Sequence, residues 1–304
     1  VAEAHNTALG EALEYLHTHA GYTRVHNPVS GRKDLVRLPG LVAAAYQHET
    51  SRAGDPHLHT HVLVPNKQAR TDGVLVAIDS DALWHEAKAA GIIYQTVLRQ
   101  ELNASLGVEW DRVDPHSGMA EIAGVDRAVL TAASQRSTQL SAWASKNLVV
   151  DSVGVSAAQL ARAQKATRPR KPEHRPWAEL RAEWAGRFGG ELVIDEAAQQ
   201  RAREQRLAAA AGAVMEWVNA AVAGIDKAAF TRADLIEALG AAMPVTIADT
   251  DRGPRWVAET LADAVGMRIT AERAPHEREG HDRFTAAPII AEEQALYELI
   301  AVRD

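Results

Sequence analysis

Apolar residues recur at helical spacing at Leu9, Leu13, Leu16 and Ala20, so the chain is expected to open inside an amphipathic helix that lacks a capping residue. Tyr22 to His26 and Leu35 to Leu38 then read as extended segments around turns at Asn27-Pro28 and Ser30-Gly31. Leu41 to His48 and His57 to Val64 read as paired strands, with Gly54, Asp55 and Pro56 supplying the turn chemistry between them. Asp79 or Ser80 caps a helix predicted to run to Ser105 and to end at Gly107. Further helices are predicted over Asp126 to Asn147, Ser156 to Thr167 and Trp177 to Phe188. The prolines between Thr167 and Pro176 break the helical pattern, and Gly189-Gly190 is the nearest plausible domain boundary. A long helix from Asp195 to Ala223 follows, then one begun by the capping-box pattern Thr231-Arg232-Ala233-Asp234. Short strands near Met267 to Thr270 and Arg283 to Ala286 precede a last helix from Ala291.

Composition adds exclusions. With 46% hydrophobic and 24% charged residues, the 304-residue chain is globular and long enough for two domains. It has no cysteine, which excludes disulfides, thiolate zinc sites, iron–sulfur clusters and a thiol nucleophile. A formal net charge of -7 means that any nucleic-acid contact must use a local patch. The longest apolar stretch, Leu207 to Gly224, carries Glu216 and Asn219 and reads as a buried or amphipathic helix rather than a bilayer span. The start, VAEAHNTALG, has no signal-like pattern, so a cytoplasmic location without membrane insertion is expected.

Histidine is where the chemistry gathers. His57, His59 and His61 alternate along one predicted strand and so share a face, while His48 ends the preceding strand and can lie beside them across the hairpin. Converging imidazoles suit a divalent cation. Any three of the four could bind it on spacing alone. His17 and His19 lie two apart in a helix and face different sides, so they are expected to be ordinary surface histidines. There is no His-Glu-x-x-His motif.

The run HETSRAGDPHLHTHVLVPN, His48 to Asn66, resembles the metal motif of the MobF-type conjugative relaxases, the TrwC- and TraI-like family of His-hydrophobe-His endonucleases. The resemblance continues through TDGVLVAID, IIYQTVLRQELNASLGVEW, SQRS and ATRPRK, and covers most of residues 1–190. It implies that His48, His59 and His61 are the metal ligands, with magnesium or manganese as the ion and zinc or nickel as substitutes in vitro. It also implies nicking and closing of single-stranded DNA at an origin of transfer, with other relaxosome proteins and an intact relaxase as partners. In that family a tyrosine attacks the scissile phosphate. The tyrosines and an activating aspartate precede the helix with which this sequence opens, so the resemblance puts both upstream of Val1. No catalytic nucleophile is therefore assigned to Tyr15, Tyr22 or Tyr46, and the chain is not expected to nick DNA alone. Tyr46 shares the face of His48 but is expected to pack in the core.

DNA contacts are expected from Arg52 and Arg136 by resemblance, and from Arg168, Arg170 and Lys171 within a stretch, residues 162–187, of eight basic and three acidic residues. Trp177 and Trp184 could stack on bases, but their helical spacing favours the core. FTRADLIEAL and RFTAAPIIAEEQALYEL resemble the stretch before the family's ATP-binding loop, yet no Gly-x-x-x-x-Gly-Lys-[Ser/Thr] is present, so ATP hydrolysis is not expected. The expected architecture is α+β: an antiparallel sheet with covering helices over residues 1–190, then a mostly helical portion, 191–304, like the start of a helicase region. The reading is a relaxase fragment. Its competitors are a DNA-binding remnant without chemistry and, more remotely, a cupin-like metalloenzyme, whose expected glutamate is replaced by Val62-Leu63-Val64-Pro65.

Overall fold

The structure is a computed structural model that describes residues 1–148, 156–169, 175–190, 193–211, 214–245 and 252–301. Helix α1 (Ala2–Ala20) leads into strands β1 (Tyr22–His26), β2 (Lys33–Arg37), β3 (Ala44–Thr50), β4 (Pro56–Leu63), β5 (Lys67–Ala69) and β6 (Leu75–Ala77). The long α2 (Ser80–Leu106) follows, then α3 (Arg127–Ala132), α4 (Gln135–Asn147), α5 (Ala157–Ala166), α6 (Trp177–Phe188) and α7 (Glu196–Ala211). The remaining elements are α8 (Val214–Ala223), α9 (Arg232–Ala242), α10 (Gly253–Val265), β7 (Met267–Arg268), β8 (Phe284–Thr285) and α11 (Ala287–Ala301). Helices thus accompany small antiparallel ladders, the α+β class expected. Among the described residues the strands form four two-stranded pairs, β1-β2, β3-β4, β5-β6 and β7-β8.

The chain divides into two compact units. The larger comprises residues 1–43, 64–123 and 197–304. Its core packs Ala8, Ala12 and Tyr15 of α1 and Ala89, Ile93 and Val97 of α2 against Val218 and Val222 of α8, Leu235, Ile236 and Leu239 of α9, and Val257 and Ala258 of α10. That core therefore draws on chain from both sides of residue 190. As the sequence implied, α1 has no side-chain cap: Val1 stands at its N-cap position, and only its carbonyl takes part, accepting from His5 N–H at 2.9 Å. α2 and α9 touch closely at Gly240: a Cβ there would stand 2.7 Å from Ile92 Cγ2, and Thr96 Oγ1 donates to the Gly240 carbonyl at 2.8 Å. Around the core, Glu109 and Arg206 pair through two bonds of 2.8 and 2.9 Å, and the Tyr15 hydroxyl donates to Glu86 at 2.5 Å. α2 ends where Gly107 turns left-handed at φ 69°, as its glycine implied.

The smaller unit comprises residues 44–63 and 124–196. It holds the β3-β4 hairpin and α3 to α6, with Ala144, Ala163, Leu180 and Trp184 buried. The start of α5 carries the full capping box from Ser156 and Gln159.

The helical reading needs revision in three places, the simplest being the last helix, which begins at Ala287 rather than Ala291. The helix expected over Asp126 to Asn147 is two helices, broken at Ala133-Ser134. Ala133 N–H bonds back to the Val129 carbonyl, closing α3, while the N–H groups of Gln135 and Arg136 leave the helical ladder and bond to the Asp55 carboxylate. α10 is an element that the pattern reading passed over. Its signal was Val257, Leu261 and Val265 at helical spacing behind Pro254 in the first turn. No helix among the described residues is long and apolar enough to cross a membrane.

Candidate metal centre

The histidine hairpin owes its geometry to register. Tyr46 pairs with His61, Gln47 with Thr60 and His48 with His59, so His48 and His59 are directly opposed across the ladder. The register then shifts between His48 and Thr50, where Thr50 pairs with Pro56: two residues, His57 and Leu58, face the single Glu49. Beyond the hairpin, Ser51 N–H bonds to the Asp55 carbonyl, and Gly54, at φ 77°, closes the turn in a conformation that only glycine adopts cheaply.

The rings meet accordingly. Centroid separations are 5.4 Å for His48–His59, 5.2 Å for His48–His61 and 5.1 Å for His59–His61. Three imidazoles binding one ion through nitrogens at about 2.1 Å, with centroids about 1 Å behind those nitrogens, would stand about 5 Å apart. The ring separations alone are close to that value. As they stand the side chains do not converge: among the described residues no three histidine, aspartate or glutamate side chains are arranged to hold a metal ion. His57 stacks on His59 at 4.6 Å, flanking the trio.

One tautomer is already set. His59 Nδ1 lies 2.9 Å from the His57 carbonyl, an oxygen that can only accept, so Nδ1 carries the proton and Nε2 presents its lone pair. A hydrogen bond of this kind on the far nitrogen is the usual device that orients a metal-binding imidazole. In number and donor chemistry, three imidazoles on one hairpin are what a divalent cation would need.

The other expected residues are more scattered in role. Arg52 is exposed in the turn and donates to the Pro169 carbonyl at 3.3 Å. Arg136 turns its guanidinium to the end of α5, donating to the Thr167 carbonyl and hydroxyl at 2.9 and 3.0 Å and to the Gln164 carbonyl at 3.3 Å. Arg168 is exposed, and Arg170 and Lys171 lie outside the described residues. Trp184 is buried as expected, its indole N–H donating to the Gly54 carbonyl at 2.8 Å, whereas Trp177 is 47% exposed and meets Trp184 edge-on. Tyr46, expected in the core, is 55% exposed: its strand has one ladder neighbour, and its face is the one the histidines occupy. His19, expected to be an ordinary surface histidine, is instead an ion-pair partner of Glu259 at 2.8 Å.

An α+β protein with three imidazoles grouped on one hairpin is the class that the fold and site define, and comparison with known proteins narrows it. The family model for TrwC relaxase matches residues 1–189, and the chain belongs to that family of MobF-type relaxases. Multifunctional conjugation protein TraI of Escherichia coli is 32% identical over 254 residues, 77% of this chain but 14% of that protein. TraI of strain K12 is 32% identical over 142 residues, 44% of this chain and 8% of the relative. The chain thus spans a small fraction of these relatives. Among solved structures, conjugative relaxase TrwC in complex with oriT DNA, in a metal-free form, aligns with TM-score 0.54 at 29% identity, covering 62% of this chain and 66% of that one. A metal-bound form of that complex aligns with TM-score 0.54 at 28% identity, covering 62% of each chain.

Proposed function

We propose that this chain is the metal-holding part of a conjugative relaxase that acts on single-stranded DNA at an origin of transfer. The observation that carries the reading is the opposed pair His48 and His59 with His61 beside them, on the run that resembles the family's metal motif. The reaction is transesterification: a tyrosine oxygen, from the segment that the resemblance puts before Val1, bonds to phosphorus. The bond from phosphorus to the 3′ oxygen breaks, and the phosphodiester energy is kept for rejoining. A bound divalent ion, magnesium or manganese, supplies Lewis-acid polarisation of the phosphate's non-bridging oxygens. His48, His59 and His61 would hold it, and the His57 carbonyl keeps His59 in the tautomer that can do so. Exposed Arg52, at the turn of the same hairpin, would meet backbone phosphate on exchanging its bond to the Pro169 carbonyl, and Arg168, Arg170 and Lys171 would add salt-dependent affinity. Residues 1–190 serve as the relaxase module and 191–304 as the start of a helicase-like region, in a cytoplasmic protein with other relaxosome components as partners.

Selection from a randomised single-stranded DNA library in the presence of Mn2+ tests this reading. Enrichment of one sequence family that the matching duplex fails to displace is the expected outcome. Equal retention of duplex, or no enrichment, would count against it. Retention of one sequence by a chain that does not bind Mn2+, or binds it equally well as His59→Ala, would favour the DNA-binding remnant.

A further inference from the structure

The turn that joins the two histidine strands contains a carboxylate out of keeping with an ordinary surface turn. Asp55 is 3% exposed, directly precedes β4, and receives four hydrogen bonds from side chains and helix N–H groups. Its Oδ2 accepts from the Ser51 hydroxyl at 2.8 Å and from Arg136 N–H at 3.0 Å. Its Oδ1 accepts from Gln135 N–H at 3.2 Å and from Arg187 Nη1 at 3.2 Å. An ionised carboxylate offers about four lone-pair sites and no donor, so this set fills it. The donors come from three places: the hairpin turn, the first turn of α4 and the last turn of α6.

The start of α4 shows why the partner must be Asp55. Ser134, at the N-cap position, makes no side-chain capping bond, and the exposed N–H groups behind it are answered instead by a carboxylate from a distant part of the chain. On the α6 side, Arg187 is held in turn by Glu183 at 2.5 Å, and Trp184 ties the adjoining Gly54 carbonyl at 2.8 Å. The hairpin is therefore fastened to α4 at Asp55 and to α6 at Gly54 and Asp55, just before His57, His59 and His61 follow at alternate positions.

We infer that Asp55 is a positioning residue for the metal centre: by tying the turn to Ser51, α4 and α6 it holds the adjoining register shift, and with it the pairing that sets His48 opposite His59. This rests on the reading of those histidines as ligands. Asn at position 55 keeps the shape but has one accepting oxygen and turns an amide N–H2 toward groups that are themselves donors. The turn from Ser51 to Asp55 then loosens, and the neighbouring register shift between His48 and Thr50 is no longer held, so the opposition of His48 to His59 is lost without any ligand having been removed.

The test titrates Mn2+ into the full chain and its variants by calorimetry, with melting followed in parallel. Asp55→Asn is expected to weaken Mn2+ binding about tenfold or more, the scale at which outer partners of metal ligands act. The double variant Asp55→Asn/Ser134→Asp supplies a carboxylate cap to α4 from its own N-cap position without tying the hairpin. It is expected to regain melting temperature but not Mn2+ affinity. Recovery of both would make Asp55 a helix cap only and overturn the inference, as would parent-like binding by Asp55→Asn. Where Asp55→Asn does not fold, Arg187→Met removes one of the four donors and leaves the α4 cap. It should bind Mn2+ more weakly than the parent, and parent-like binding overturns the clamp. A parent chain that does not bind Mn2+, or whose binding survives His59→Ala, would instead bring down the ligand reading, and the inference with it.

Discussion

His59 sits at the centre of the imidazole group, stacked between His48 and His57 and edge-on to His61. Its Nδ1–H is given to a backbone carbonyl, so removing this ring should do more harm than removing its neighbour His57. Mn2+ affinity is expected to fall more than about 100-fold in His59→Ala, beyond the range of an outer partner, and to stay near the parent value in His57→Ala; calorimetry checks both. A reversed order would make His57 a ligand in place of His59. The four histidines were legible because a period of two puts alternate residues on one face. The register that opposes His48 to His59 was not, since it depends on a bulge that no local residue announces. Asp55 was legible only as a turn former: its partners Gln135, Arg136 and Arg187 are 80 or more positions away. Elsewhere, burial would raise the Glu259 pKa, but the hydrogen bond and charge of His19, with Arg255 and Arg232, outweigh it and hold the carboxyl below its usual 4.5. A depressed folded-state pKa contributes stability that is present above the unfolded value and lost as pH falls through the folded one. The stability lead of the parent over Glu259→Gln, measured by urea denaturation, should therefore shrink between about pH 5 and pH 3. A constant lead would exclude the ion-pair origin.

At the scale of elements, contacts between helices depend on small groups that sequence periodicity does not reveal. Gly240 lies in the interior of α9, where glycine costs helix stability, yet a methyl group there would press into Ile92 of α2. Gly240→Ala is accordingly expected to destabilise the larger unit by about 1–3 kcal/mol despite the better helix propensity. A rise in the urea midpoint would show that α2 and α9 yield freely. Trp184→Phe keeps most of the buried area but leaves the Gly54 carbonyl without its indole donor, a loss of about 1–2 kcal/mol in the same assay. The helix boundaries at Ser156, Trp177, Thr231 and Gly107 followed from caps and prolines, which act within one turn. The break between α3 and α4 escaped because the group that causes it, Asp55, is remote in sequence. α10 escaped although its period of apolar residues was present.

For the molecule as a whole, the TrwC relaxase family covers residues 1–189, the part that carries both the basic stretch at residues 162–187 and the imidazole group in a hairpin. The α+β class was legible because helical and alternating patterns occupy separate stretches. The packing of α8, α9 and α10 with α1 and α2 in one core was not, because amphipathic faces do not name their partners. Everything proposed about function rests on His48, His59 and His61 sharing one ion. The most direct measurement is a crystal of the chain grown with Mn2+, with diffraction recorded so as to give the anomalous signal of manganese. The expected result is a single peak about 2.2 Å from one nitrogen of each of His48, His59 and His61, with Nε2 as the ligating atom of His59. A peak bound through His57 with His48 or His61 empty, or no peak on the hairpin at all, would contradict it.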